Sequence, residues 1–174
     1  MNIPVTRLDP THAKTYRAMM LEAYTRHPDA FTASVDERSI LPISWWEERL
    51  APGTSANEVV FGFFVDAELA GVAGLSFDNR LKTRHKSRLF GVYVAARFRS
   101  QGIGRKLIDE ALRFARTHPE IRITQLTVTA GNTSALQLYE SSGFMPFGTE
   151  PFAVRVGAGY VSKVHMWCHH SPSE

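Results

Sequence analysis

The chain has one cysteine, Cys168, so it holds no internal disulfide, and its stability must come from core packing and hydrogen bonds. A single thiol also fits a reducing compartment. No apolar run nears the ~20 residues that a membrane-crossing helix needs; the longest, Val59 to Val65, has the length of a buried strand. The first residues carry Arg7 and Asp9 with no apolar core between charge and cleavage site. No secretory signal is therefore expected, and the protein is read as cytoplasmic, with no membrane partner. A Walker phosphate loop, Gly-x-x-x-x-Gly-Lys-Ser/Thr, occurs nowhere. His165 and His169 stand four apart in what reads as a strand, a spacing too long for one ion, so no metal is expected. A net charge of +3 and an isoelectric point near 9.2 are only mildly basic. A polyanionic ligand accounts for that balance as well as nucleic acid does.

What is present suits one globular domain, 1–174, with 44% apolar and 21% charged residues. The most informative stretch runs from Leu89 to Phe114. Leu89 to Val94 reads as a strand and a basic loop with Gly102 and Gly104 follows. Ile103, Leu107, Ile108, Ala111, Leu112 and Phe114 then recur with helical spacing. A helix start carries amides without intrahelical partners and the positive end of the macrodipole, so strand, glycine loop, helix is a geometry for an anion. Arg105 and Lys106 in the first turn oppose the dipole by roughly 0.3–1 kcal/mol each, a conflict a bound phosphate would relieve. The dinucleotide fingerprint is incomplete, because its third glycine falls on Leu107.

Asp9-Pro10 reads as the start of a first helix with Tyr16, Met19, Met20 and Ala23 on one face, ending near Thr25 ahead of Pro28. His27 to Pro42 is irregular, and Ser44-Trp45-Trp46-Glu47 reads as a capping box opening a short helix to about Leu50. Val59 to Val65 and Leu69 to Phe77 are expected strands joined by a hairpin loop at Asp66-Ala67-Glu68. Asn79 to Arg88, the most basic run, reads as a solvated loop, or as a contact to an acidic substrate or cofactor phosphates. It lacks the aromatic interleaving of a stacking groove, so no nucleic-acid partner is expected. Ile123 to Thr129 is the next strand, parallel to Leu89 to Val94 through a right-handed crossover. A ligand then belongs at the carboxyl ends of that pair. Phe147 to Val156 and Tyr160 to Trp167 read as a closing hairpin, and His169-His170-Ser171-Pro172 as a frayed terminus.

Two motifs stand out. Arg99-Ser100-Gln101-Gly102-Ile103-Gly104, after a strand ending in Val94, is similar to motif A of the GCN5-related N-acetyltransferase (GNAT) superfamily, Gln/Arg-x-x-Gly-x-Gly/Ala. Asn132 to Phe144 resembles motif B, Asn-x-x-Ala-x-x-Leu-Tyr-x-x-x-Gly-Phe, at every fixed position, one helix and one strand further on. The resemblance implies an α/β (α+β) fold: a single mixed, mostly antiparallel twisted sheet with a splayed central parallel strand pair and about four flanking helices. It also implies an N-acetyltransferase that moves the acetyl group of acetyl-CoA to a primary amine of a small-molecule or protein acceptor, by direct attack in a ternary complex. Cys168 lies outside both motifs and is not expected to carry the acyl group. A non-catalytic acyl-CoA binding or sensing module on the same fold is the alternative. Edge strands would allow a homodimer.

Site residues follow from the resemblance. The loop amides of Arg99, Ser100, Gln101, Gly102, Ile103, Gly104 and Arg105 would hold the pyrophosphate. The backbone of Val92, Tyr93 and Val94 would pair with the pantetheine arm, and the Val94 amide would meet the thioester carbonyl. Asn132 would contact the cofactor or only cap its helix. Tyr139 would contact the cofactor and act as general acid, since a phenol near pKa 10 can protonate a thiolate whose acid lies near 8.5; the alternative is a packed tyrosine. The segment after the first helix would face the acceptor with Tyr24, Arg26, His27, Asp29, Phe31 and Trp45 or Trp46, the aromatic ones otherwise serving as core. The general base is unassigned. Many members of the family place a carboxylate on the strands facing the acceptor, but Arg88 to Val94 has none, leaving Glu22, Asp78, His85 or a water chain.

Overall fold

The computed structural model describes residues 4–53 and 57–171. After β1 (Thr6–Arg7), Asp9 caps a 3-10 turn at Pro10–His12 that runs into α1 (Ala13–Arg26). Two short helices follow, α2 (Val35–Ser39) and α3 (Ile43–Leu50), then the strands β2 (Glu58–Val65), β3 (Glu68–Phe77) and β4 (Lys86–Val94). The crossover helix α4 (Ile103–Arg116) leads to β5 (Ile123–Thr129), and α5 (Thr133–Ser141) leads to the hairpin of β6 (Met145–Val156) and β7 (Gly159–His169). The described residues thus hold five α-helices where about four were expected, and the extra one is α2.

Capping chemistry explains the difference. Ser34 and Glu37 form the capping box that starts α2, each side chain meeting the other's backbone N–H at 2.9–3.2 Å. The box expected at Ser44 does not form. Pro42 occupies the cap of α3 with no side-chain bond, and Ser44 lies inside the helix. The first hairpin turns at Asp66 and Ala67, both with φ near +50 to +65°, the two-residue turn whose twist matches the strands.

The sheet runs β1-β2-β3-β4-β5-β7-β6, and every neighbouring pair is antiparallel except β4 and β5. That parallel pair is short: Lys86, Ser87 and Arg88 pair with Ile123, Thr124 and Gln125, and there the ladder ends. Beyond it β4 stays with β3 and β5 stays with β7, so the two central strands splay. Gly91, at φ +59°, sits in a bulge that bends β4 away at that point.

Each face of the sheet has its own core. On one, α4 buries Ile103, Leu107, Ile108, Ala111, Leu112 and Ala115 against Phe61, Ala73, Leu89 and Leu126. Phe114, expected in that stripe, is only partly buried and stacks edge-on with Phe61. On the other face α1 and α3 pack Tyr16, Met20, Tyr24 and Trp46 against Val60, Val72 and Tyr93. The end of β7 is not frayed: His169 is in the strand and His170 is buried at 3% exposure, its N–H on Arg122 O at 2.7 Å. Pro172 lies outside the described residues.

Candidate active site

Between α4 and α5, above the splayed strands, lies a cleft of about 850 Å³, continuous with a narrower gap between β4 and β5. Its floor at Val94 follows from hydrogen-bond alternation. Val94 lies opposite Gly71, and Ala95 N–H reaches Ala70 O at 2.9 Å, so Val94 occupies a non-bonded position in the β3–β4 ladder. Its N–H and C=O therefore point away from β3, toward the side that β5 has left. The Val94 carbonyl accepts from Arg99 Nε at 3.1 Å. Tyr93 points the other way, into the α1 core, where its hydroxyl donates to Glu22 at 2.9 Å.

The loop that follows is strained in a useful sense. Ser100 at φ +61° and Gly102 at φ +74° are both left-handed, which turns the chain sharply into α4. A serine there costs about 1–2 kcal/mol against ordinary backbone. Gly102 is the N-cap and supplies no side chain, and the first bond inside the helix runs from Lys106 N–H to Gly102 O at 3.2 Å. The amides of Ile103, Gly104 and Arg105 are thus without partners in the helix and open on the cleft. A Cβ on Gly104 would come within 3.2 Å of Leu138 Cδ2 on α5, so glycine lets the start of α4 pack closely against the body of α5. This bare, positive, amide-lined cradle fits a diphosphate.

Val92, Tyr93, Val94, Arg99, Ser100, Gly102, Ile103, Gly104, Arg105, Asn132 and Tyr139 all line this cleft. Gln101 does not; its side chain turns back to Arg97 O at 3.4 Å. Arg105 also differs from the expectation that its charge awaits an anion. Its guanidinium pairs with Asp109 at 2.9 Å one turn on, and Lys106 lies over the Phe63 ring, so the open amides, not these cations, carry the case for a phosphate. Asn132 caps α5, its Oδ1 accepting from Ala135 N–H at 3.2 Å, while its residue still borders the cleft. Tyr139 packs edge-on against Phe144, and burial pushes its phenol up to about 12.

On the acceptor side the cleft is bordered by His27, Asp29 and Phe31. Tyr24 is buried against Phe31, Trp46 is core, and Trp45 lies over a separate groove under the Arg38 guanidinium; none of them, nor Arg26, lines the cleft. Of the three groups considered as bases, Glu22 is bonded to Tyr93. Asp78, held far below the usual carboxylate range by Arg80, and His85 sit at the opposite end of the β3–β4 pair. Sequence reasoning missed Lys163. It reaches from β7 to bond Asp29 O and Ala30 O, contacts separated by 134 and 133 residues along the chain, for which no local signal exists.

A family model described as Acetyltransferase (GNAT) family matches residues 18–144, spanning both the glycine loop and the α5 motif. The chain belongs to the GNAT acetyltransferase family. Among curated relatives it is similar to the L-amino acid N-acetyltransferase AaaT of Escherichia coli K12, 27% identical over 122 residues that cover 70% of this chain and 73% of that protein. Its fold matches a GNAT-family acetyltransferase of Streptococcus pneumoniae with a TM-score of 0.86 at 23% identity, covering 96% of this chain and 98% of the other. It also matches RimL, a ribosomal L7/L12 α-N-protein acetyltransferase solved with coenzyme A, with a TM-score of 0.75 at 13% identity over 97% and 94% of the two chains. The splayed parallel pair within a mixed sheet is thus the fold of this GNAT chain. No helix among the described residues is long and apolar enough to cross a membrane.

Proposed function

We propose that the chain is an N-acetyltransferase that moves the acetyl group of acetyl-CoA to a primary amine by direct attack in a ternary complex. The observation that carries this reading is the convergence on one cleft of three unpartnered helix-start amides, the Val94 N–H freed by the splay, and the Tyr139 phenol. The amides of Ile103, Gly104 and Arg105 bind the diphosphate, with the left-handed Ser100 and Gly102 giving the loop its curvature. The exposed edge of Val92 to Val94 binds the pantetheine amides as an added strand, which orients the thioester. The Val94 N–H donates to the carbonyl oxygen as negative charge develops on it. Acetyl-CoA supplies the activated acyl group.

Tyr139 returns a proton to the departing sulfur. A phenol raised to about 12 is a weak acid toward an ordinary thiol, but burial raises thiols as well. A thiolate held beside Tyr139 is raised by desolvation in the same direction as the phenol. The two acidities therefore stay close enough for transfer. The acceptor is an amine of the kind the relatives use, a free amino acid or a protein N-terminus.

A thermal-shift titration with acetyl-CoA followed by a thiol-release assay over a panel of amino acids, small amines and N-terminal peptides tests the reading. Saturable stabilisation and coenzyme A release dependent on one amine class are expected. Stabilisation without release on any amine would instead favour a binding or sensing module.

A further inference from the structure

The cleft is rich in positive charge. Arg99 and Arg105 border its wide part, and Arg88 and Lys163 border the gap between the strands. Asp29 is the one carboxylate among the described residues that line either space. Neither β4 nor β5 contains an Asp or Glu.

The backbone at Asp29 is held with unusual thoroughness for a loop. Thr129 Oγ1 donates to Asp29 O at 2.7 Å, and Lys163 Nζ donates to Asp29 O at 3.3 Å, Ala30 O at 3.1 Å and Thr129 Oγ1 at 3.0 Å. Lys163 is 4% exposed, and all three of its protons go to neutral oxygens, two of them on this loop. Placing an ammonium in such a site is unfavourable unless its hydrogen bonds are fully made; burial lowers the Lys163 pKa, and the nearby Asp29 charge opposes that shift. The fold therefore commits a buried cation and a strand threonine to fixing the main chain of residues 29 and 30. The Asp29 carboxylate itself makes no hydrogen bond or ion pair with the described residues.

We propose that the Asp29 carboxylate binds the ammonium of the acceptor, with Lys163 and Thr129 as positioning residues that fix its backbone at the carboxyl end of β5, on the wall of the cleft that Val94 also lines. This rests on the acetyl-transfer reading and adds the group that recognises the amine. A cationic acceptor meets Arg99, which has no acidic partner among the described residues, and a counter-charge in the cleft only at Asp29. The substrate class is thus a primary amine that enters as its ammonium ion, docked by a charge-assisted hydrogen bond, and gives up one proton to solvent water in the open cleft before its nitrogen attacks.

The test compares wild type with Asp29→Asn, which keeps the carbonyl that Lys163 and Thr129 hold, using whichever amine the panel identifies. Acceptor KM is expected to rise at least tenfold, with acetyl-CoA KM unchanged and a cooperative melting transition retained. Lys163→Met should raise acceptor KM without altering acetyl-CoA KM, and Lys163→Arg should recover part of the loss. If Asp29→Asn folds poorly, Asp29→Ser takes its place. An acceptor KM within twofold of wild type in a folded Asp29 variant overturns the proposal and leaves acetyl transfer standing. Wild-type protein that binds acetyl-CoA yet acetylates no amine refutes both.

Discussion

His170 makes the stability of this chain depend on mild acid. Its ring is buried against Thr124, Nε2 to Oγ1 at 2.7 Å; Thr124 meets Ser87 at 2.7 Å, and Ser87 donates to Ile123 O at 3.3 Å. Following the protons along that chain, Ser87 must accept from Thr124, and Thr124 must accept from His170 Nε2–H. Nδ1 is buried with no partner among the described residues, so a proton there would be an unbonded buried charge and the ring is held neutral. A second proton would have to enter at that buried nitrogen. Burial, with help from Arg116 and His169, pushes the His170 pKa down to about 4 from an ordinary 6.5. The unfolded chain takes up its proton near 6.5 and the folded chain only near 4. Stability is thus full above about pH 7 and drains as pH falls through that interval, by about 2 kcal/mol at pH 5 and about 3 kcal/mol at pH 4. Urea unfolding followed by tryptophan fluorescence, for wild type and the non-titrating His170→Gln between pH 7.5 and 4, measures the effect. Wild type should lose about 3 kcal/mol more than the variant across that range. Parallel pH curves for the two proteins would refute the assignment. The same chain of hydroxyls clamps β4 to β5 just below the splay, so this acid sensitivity belongs to the hinge of the proposed site.

Two further outcomes bear on the chemistry. Gly102→Asp adds a carboxylate to the diphosphate cradle at a position where a Cβ meets nothing within 4 Å but φ is +74°. Calorimetric titration should show acetyl-CoA affinity reduced at least tenfold, with stability lowered by only about 1–2 kcal/mol of backbone strain. Tyr139→Phe removes the proton donor and keeps the packing against Phe144. Its kcat should fall roughly 10²-fold with acetyl-CoA affinity within about threefold of wild type, whereas a kcat near wild type would make Tyr139 a packing residue.

Much of this architecture was legible along the chain because it rests on local signals. The α4 stripe, both hairpins and the Asn132 cap each announce themselves within a few residues. Sequence reasoning read a capping box at Ser44 and Glu47 and read His27 to Pro42 as irregular; the box forms instead at Ser34 and Glu37, while Pro42 sets the entry to α3. Long-range partners were out of reach. Nothing near Arg105 says that Asp109 will take its charge in preference to a ligand, nothing near His170 reveals Thr124, and the anchoring of Asp29 by Lys163 depends on how β7 returns beside β5. The backbone half of the site could be located from glycines and a strand end. Its side-chain half needed the fold.

The account turns on main-chain amides, and these can be watched one at a time. In a ¹⁵N–¹H correlation spectrum titrated with acetyl-CoA, the amide signals of Val94, Ile103, Gly104 and Arg105 should shift together and saturate at one equivalent, with those of the β6–β7 hairpin unmoved. Saturating shifts confined to other residues, or no shift at any of these four amides, would contradict it.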